Sequence, residues 1–121
     1  MLSYWRNSVT IYHKVYITDE NGREKPRWTV SRYYDCFTHS STTSVMVDRT
    51  RQTTPDRYAR IPGKVPVAVG DVCYFGYERI PISDETVDAD ILAALPGAFI
   101  ITEVHDNSEP RTTISHTYVG G

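Results

Sequence analysis

From Val9 the chain alternates with a period of two: Val9, Ile11, Val15 and Ile17 share one side with His13, and Thr10, Tyr12, Lys14, Tyr16 and Thr18 share the other. That pattern predicts a long, half-buried β-strand. Asp19–Glu24 follows, and the Asn21-Gly22 dipeptide inside it signals a hairpin, because both residues tolerate positive φ. The predicted return strand runs over Arg27–Phe37, with Trp28, Val30, Tyr34 and Cys36 on one face. A polar loop, Thr38–Thr43, and a short strand, Ser44–Arg49, come next. Asp48–Arg57 reads DRTRQTTPDR, with no apolar residue besides Pro55, and is expected to be an extended, mobile loop because it has little surface to bury.

The stretch Tyr58–Gly76 carries the clearest turn signals, and the remaining elements are read around it. Pro62-Gly63 ends a first strand, since Pro62 has no N–H and Gly63 accepts positive φ. Val65, Val67 and Val69 alternate with Pro66 and Ala68, which predicts an edge strand before Gly70-Asp71. Val72–Phe75 then re-enters the core, and Tyr77–Ile82 is a brief edge strand. The one predicted helix is Thr86–Leu95: Ser83 or Asp84 caps it, acids occupy its first turn, Val87, Ile91, Leu92 and Leu95 form its apolar face, and Pro96-Gly97 ends it. Ala98–Val104 reads as a continuous buried strand, Asp106–Pro110 as a turn and Thr112–Val119 as the last strand. The expectation is a mainly β protein, a small antiparallel β-barrel or sandwich with one short α-helix and long loops.

Length and charge narrow this picture. A chain of 121 residues is one domain of a size that can bury a core without staples, here with residues 1–7 as a loosely held arm whose Tyr4 and Trp5 could anchor it. A formal net charge of −2 lacks the basic surplus that bulk binding of DNA needs. Cys36 and Cys73 share no metal-ligand spacing and read as free thiols of the core, consistent with a reducing compartment. There is no signal-peptide pattern and no apolar run long enough to span a membrane.

Catalytic and metal chemistry find little support in the residues. His13, His39, His105 and His116 have no partners at metal spacing, no nucleotide-cradling glycine loop is present, and His105-Asp106 lacks a nucleophile elbow. No catalytic residue, metal ligand or cofactor is expected, and the protein is read as a non-enzyme. A competing class is an OB-like nucleic-acid module, with tyrosines to stack bases and Arg49, Arg51, Arg57 and Arg60 to meet phosphates.

Three short motifs carry a family resemblance. Arg60-Ile61-Pro62, Val69-Gly70-Asp71-Val72 and Ile101-Thr102-Glu103-Val104-His105-Asp106-Asn107, in this order with a helix between the last two, resemble the phage head-closure or head-tail connector proteins. In that family an R-I-P strand end precedes a P-x-G-D-x-(I/V) turn, and a late I-T-x-V-x-D-N segment precedes the last strand. Val69 stands where proline is usual, and the last four residues, Tyr118–Gly121, include no basic one. The resemblance spans about residues 8–119. It implies a structural virion protein of a tailed-phage neck, a dodecameric or hexameric ring below the portal or adaptor that closes the head after packaging and docks the tail. A tail-side terminator or minor capsid component is the alternative within the same virion. The implied partners are further copies, portal or adaptor and tail proteins, and transiently the packaged DNA; assembly would occur in the host cytoplasm, with no membrane involved. On this reading the candidate channel-gating, DNA-facing residues are Asp48, Arg49, Arg51, Gln52, Asp56 and Arg57, and the candidate intersubunit contacts are Tyr4, Trp5, Val87, Ile91 and Leu95.

Overall fold

The computed structural model describes residues 7–47, 50–83, 85–107 and 115–121, with the backbone alone across 41–47 and 50–55. Seven strands and one helix occur in the order β1 (Asn7–Thr18), β2 (Glu24–Val47), β3 (Thr50–Pro62), β4 (Val72–Phe75), α1 (Asp88–Ala94), β5 (Phe99–Ile100), β6 (Glu103–Asn107) and β7 (His116–Gly120). They form one antiparallel sheet in the order β5-β4-β1-β2-β3-β7-β6. β5 and β6 sit at opposite ends of that order yet are joined by Ile101-Thr102 alone, so the sheet must curl until its ends meet. The closure is visible in the bonds at the join: Ile101 N–H donates to the Asp71 carbonyl at 2.8 Å and Thr102 N–H to the Gly120 carbonyl at 2.8 Å. The fold is a small β-barrel-like half-barrel with one short helix, as the alternation predicted.

The 24-residue β2 is the strand that bends the sheet. Its first part pairs with β1 as far as Asn7↔Cys36, and its second part pairs with β3 from Phe37↔Arg60 onward. Between them the register to β1 slips by one residue, and Asp35 adopts φ 56°, the left-handed conformation of a bulge. The extra residue reverses the alternation. Trp28 and Cys36, predicted on one buried face, are indeed both buried but on opposite sides of the sheet, and Val30 and Tyr34 between them are exposed.

Two clusters result. Val9, Ile11, Cys36, Ala59, Ile61, Cys73, Phe99, Ile101 and Val119 fill the concave interior. On the convex side of β1 and β4, Tyr12, Trp28, Val72, Ile91 and Leu95 form a second cluster under the helix. β1 is therefore buried on both faces from Val9 to Tyr12, where the sequence pattern predicted a polar outer face. The helix is shorter than the predicted Thr86–Leu95. Ser83 and Thr86 bond each other in a tight turn ahead of it, and the N-cap is Val87, whose N–H is taken by the Asp90 carboxylate at 3.0 Å.

Other expectations are corrected. The valine run 65–69 is not a strand: Pro66 has no N–H for a ladder, Val65 and Val67 tuck against the interior, and Val69 is exposed. Tyr77–Ile82 is likewise irregular, with Ile80 and Ile82 packed on the helix-side cluster. Ala98–Val104 is broken into β5 and β6 by the sheet closure at Ile101-Thr102. The last strand starts at His116, and residues 112–114 lie outside the described ones.

The turn at Gly70-Asp71 holds the most connected polar group. Asp71 is 2% exposed, yet its carboxylate accepts Ala68 N–H at 2.8 Å and Lys14 N–H at 3.1 Å, and bonds His13 Nδ1 at 2.5 Å. It takes over the edge of β1 where β4 has not yet begun, since β4 pairs with β1 only over Val9–Tyr12. A buried carboxylate without those donors would be costly, and donors without it would be left unpaired. Replacing Asp71 by Ala should lower the unfolding free energy by about 3 kcal/mol, and His13→Ala by about 1 kcal/mol, as read by urea denaturation. Equal midpoints for wild type and Asp71→Ala would show that the latch carries no stability.

Candidate functional site

The polar segment predicted to be a mobile loop is instead half of a two-stranded arm. Thr38–Thr43 lies within β2 and Thr50–Arg57 within β3, paired in unbroken register from Phe37↔Arg60 to Val47↔Thr50. The physical reason is that cross-strand bonds satisfy this backbone without a core, and its threonines favour extended chain. The neighbouring strands reach only part of the way. β1 stops at Cys36, and β7 reaches Tyr58, with one further exchange of bonds between Arg57 and Gly121. From Ser41↔Asp56 to Val47↔Thr50 the two strands pair only with each other among the described residues, over seven cross-strand pairs and roughly 23 Å.

The gating residues named from the sequence are distributed along this arm. Asp48 and Arg49 fall in its connection and lie outside the described residues. Arg51 and Gln52 are on β3 opposite Met46 and Val45, near the far end. Asp56 is exposed at the base. Arg57 does not belong with them: its Nη1 donates to the Gly97 carbonyl at 3.3 Å and its guanidinium stands 4.9 Å from the Phe99 ring centroid. Its buried Nε has no bond to another protein group among the described residues. Arg57 thus fastens the root of the arm to the body.

The intersubunit assignment is also redrawn. Ile91 and Leu95 are fully buried in the protein's own helix-side cluster, because a two-turn helix is stable only when its apolar face is covered. Val87 remains about half exposed. Tyr4 and Trp5 lie outside the described residues.

Beside the arm, the convex face of β2, β3, β7 and β6 carries a row of rings that sequence reading did not assemble. His39 stacks on Tyr58 with centroids 4.8 Å apart, Tyr58 on Tyr118 at 5.4 Å, and His105 lies 5.6 Å from Tyr118. Arg60 stands over Phe37 and Tyr58 at 5.5 and 5.7 Å. The register makes these residues neighbours, through His39↔Tyr58, Arg60↔Tyr118 and His105↔Tyr118, so only knowledge of strand pairing could have revealed the row. Burial, then the nearby carboxylates of Glu103 and Asp56, push the Tyr118 phenol above its ordinary pKa, so that it ionises less readily.

The histidines do not converge. His105 faces Tyr118 and Glu103, while Asp106 on the next strand position lies 3.8 Å from Lys64, so the adjacent His105-Asp106 pair points its side chains apart. The His-Asp pair that does form, His13 with Asp71, is the latch of the turn. No group of His, Cys, Asp and Glu able to hold a metal ion is found among the described residues, nor any helix long and apolar enough to cross a membrane.

Cys36 and Cys73 are free and fully buried in the concave interior. Burial pushes the Cys36 thiol up to about 12 and raises Cys73 as well, and burial also raises the Tyr12 phenol. Groups that ionise less readily in the fold hold their protons more tightly there than in the unfolded chain. Their contribution is intact below the unfolded thiol value of about 8.5 and is lost as pH rises from there toward about 12. Denaturation midpoints should fall progressively above that pH, and iodoacetamide should label neither thiol until the chain unfolds. Rapid labelling of the native protein would show that the interior opens.

Comparison with known proteins returned no matching family model, no matching curated protein and no matching solved structure.

Proposed function

We propose that this protein is a structural component of a tailed-phage neck, assembling as a ring that closes the head after DNA packaging and presents a surface to the tail. The motifs around Arg60-Ile61-Pro62, Gly70-Asp71 and Ile101–Asn107 introduce the reading. The observation that supports it best is the arm. A two-stranded hairpin outside a sheet is at most marginally stable in water, and the stretch from Asp48 to Asp56 has no apolar residue besides Pro55 to bury on its own body. Such an element acquires a purpose when copies meet. In a ring, arms directed at the axis would bring guanidinium and carboxylate groups of neighbouring copies together and form a barrier of polar contacts that can be displaced when DNA leaves.

A single-stranded nucleic-acid module is the other reading, suggested by the row of His39, Tyr58 and Tyr118. Against it, these rings turn their faces to one another at 4.8 and 5.4 Å, which leaves edges rather than stacking faces for a base. An electrophoretic shift with single-stranded DNA at near-physiological salt separates the two; tight, salt-sensitive binding would favour the module.

Replacing residues 42–55 by an Asn-Gly turn shortens the arm beyond Ser41↔Asp56 and leaves both described core clusters in place. The trimmed protein should keep its denaturation midpoint and still enter the neck, but heads containing it should lose packaged DNA. Heads that retain DNA, or an imaged neck with the arm on the outer wall, would overturn the gate. Without a portal or adaptor template, sedimentation at micromolar concentration should show a monomer; a stable closed ring under those conditions would contradict templated assembly.

A further inference from the structure

The convex surface of the half-barrel has two walls on opposite sides of the concave core, and they differ in chemistry. On the wall of β1 and the first part of β2, Arg32 lies between two exposed tyrosines, 4.7 Å from the Tyr34 ring centroid and 4.3 Å from that of Tyr77. Val30, Tyr34 and Tyr77 are 44%, 60% and 41% exposed, well beyond what a solvated strand face needs. Val30 and Tyr77 border a hollow of about 230 Å³ floored by Tyr12, Ile80 and Ile82, too small for a typical ligand and sized for one inserted side chain. Among the described residues no carboxylate forms an ion pair with Arg32. A guanidinium held by stacking is weakly hydrated and pre-oriented, the state in which Arg serves interfaces best.

The other wall, on β3, β6 and β7, is aromatic and carries the carboxylates of Glu103 and Asp56 beside the Arg60 guanidinium. Glu103 and His105 are 61% and 60% exposed in their side chains, on the same face as Tyr118 and Asp56. The 3.7 Å separation of Glu103 from His105 is too long for a strong bond and leaves the carboxylate free to take a better donor.

We propose that these walls are the two halves of one head-to-tail contact between copies of this chain, with Arg32 of one copy meeting Glu103 of the next and the Val30–Tyr34–Tyr77 surface covering the Tyr118 side of β7. Three features lead to a second copy as the occupant: the exposed Glu103 carboxylate is complementary to Arg32, both walls set a charge among tyrosines, and their placement on opposite sides of one body is what a heterologous ring contact requires. The contact supplies the lateral interface of the ring reading and rests on that reading for its symmetry. It replaces Ile91 and Leu95, which are buried, with residues that are accessible.

A charge-swap experiment tests it. Wild type, Arg32→Glu and Glu103→Arg, each checked by denaturation to retain the fold, are compared by sedimentation equilibrium at concentrations approaching millimolar, where the weak untemplated contact is populated. Wild type should self-associate, and each single variant should do so about tenfold more weakly or worse, because like charges then face each other. An equimolar mixture of the two single variants, and the double variant, should recover association. Singles that associate like wild type, or a mixture with no recovery, would overturn the pairing while leaving DNA retention by the arm as a separate test of the neck reading. Wild type that stays monomeric at millimolar concentration would overturn this contact outright.

Discussion

A single buried carboxylate holds the curled sheet in its closed form. Asp71 bonds the edge of β1 through Lys14 N–H and His13, closes its own turn through Ala68 N–H, and through its carbonyl receives Ile101 N–H at the join of β5 and β6. The join of the two ends of the sheet order is thereby tied to β1. The alternative for these groups is a set of buried, unpaired donors, each costing about 1–3 kcal/mol, which explains why an ionisable residue occupies a position 2% exposed.

The second constraint is the bulge at Asp35. By inserting one residue it lets a single strand serve two partners in succession, β1 and then β3, and it reverses which side chains face inward. Its consequence is the arm. Once β2 has left β1 behind, it and β3 continue past the end of β7 with no further strand beside them among the described residues. The body of the protein is thus organised by burial, whereas what is described of the arm is its backbone pairing, and those are different grades of stability within one sheet. An assembly protein with a rigid body and a displaceable gate would divide its structure in this way.

The same division separates the walls from the core. The helix is consumed in covering β1 and β4, so the surfaces open to other molecules are strand faces bearing tyrosines, arginines and carboxylates. Polar, aromatic faces of this kind suit contacts that form in order on a template, since they add little apolar area to drive premature association.

Much of the local structure was legible in the residues. Asn21-Gly22 made its hairpin, with Gly22 at φ 76°; Pro62-Gly63 ended a strand, with Gly63 at φ 78°; acids followed by Ile91 and Leu95 marked the helix; and Cys36 and Cys73 read as buried, free thiols. These are decisions taken within a few residues, by turn geometry, capping and side-chain polarity. What the sequence alone did not contain is each outcome that depends on partners distant along the chain. The polar stretch Asp48–Arg57 looked unable to order because its cost was weighed without the bonds supplied by Ser40–Val47. Asp71 looked like a turn residue because His13 and Lys14 are almost sixty positions away. The opposed walls, and the row from His39 to His105, exist only because pairing set strands side by side, and the slip at Asp35 that placed them is a change of one residue in register to which side-chain periodicity gives no clue.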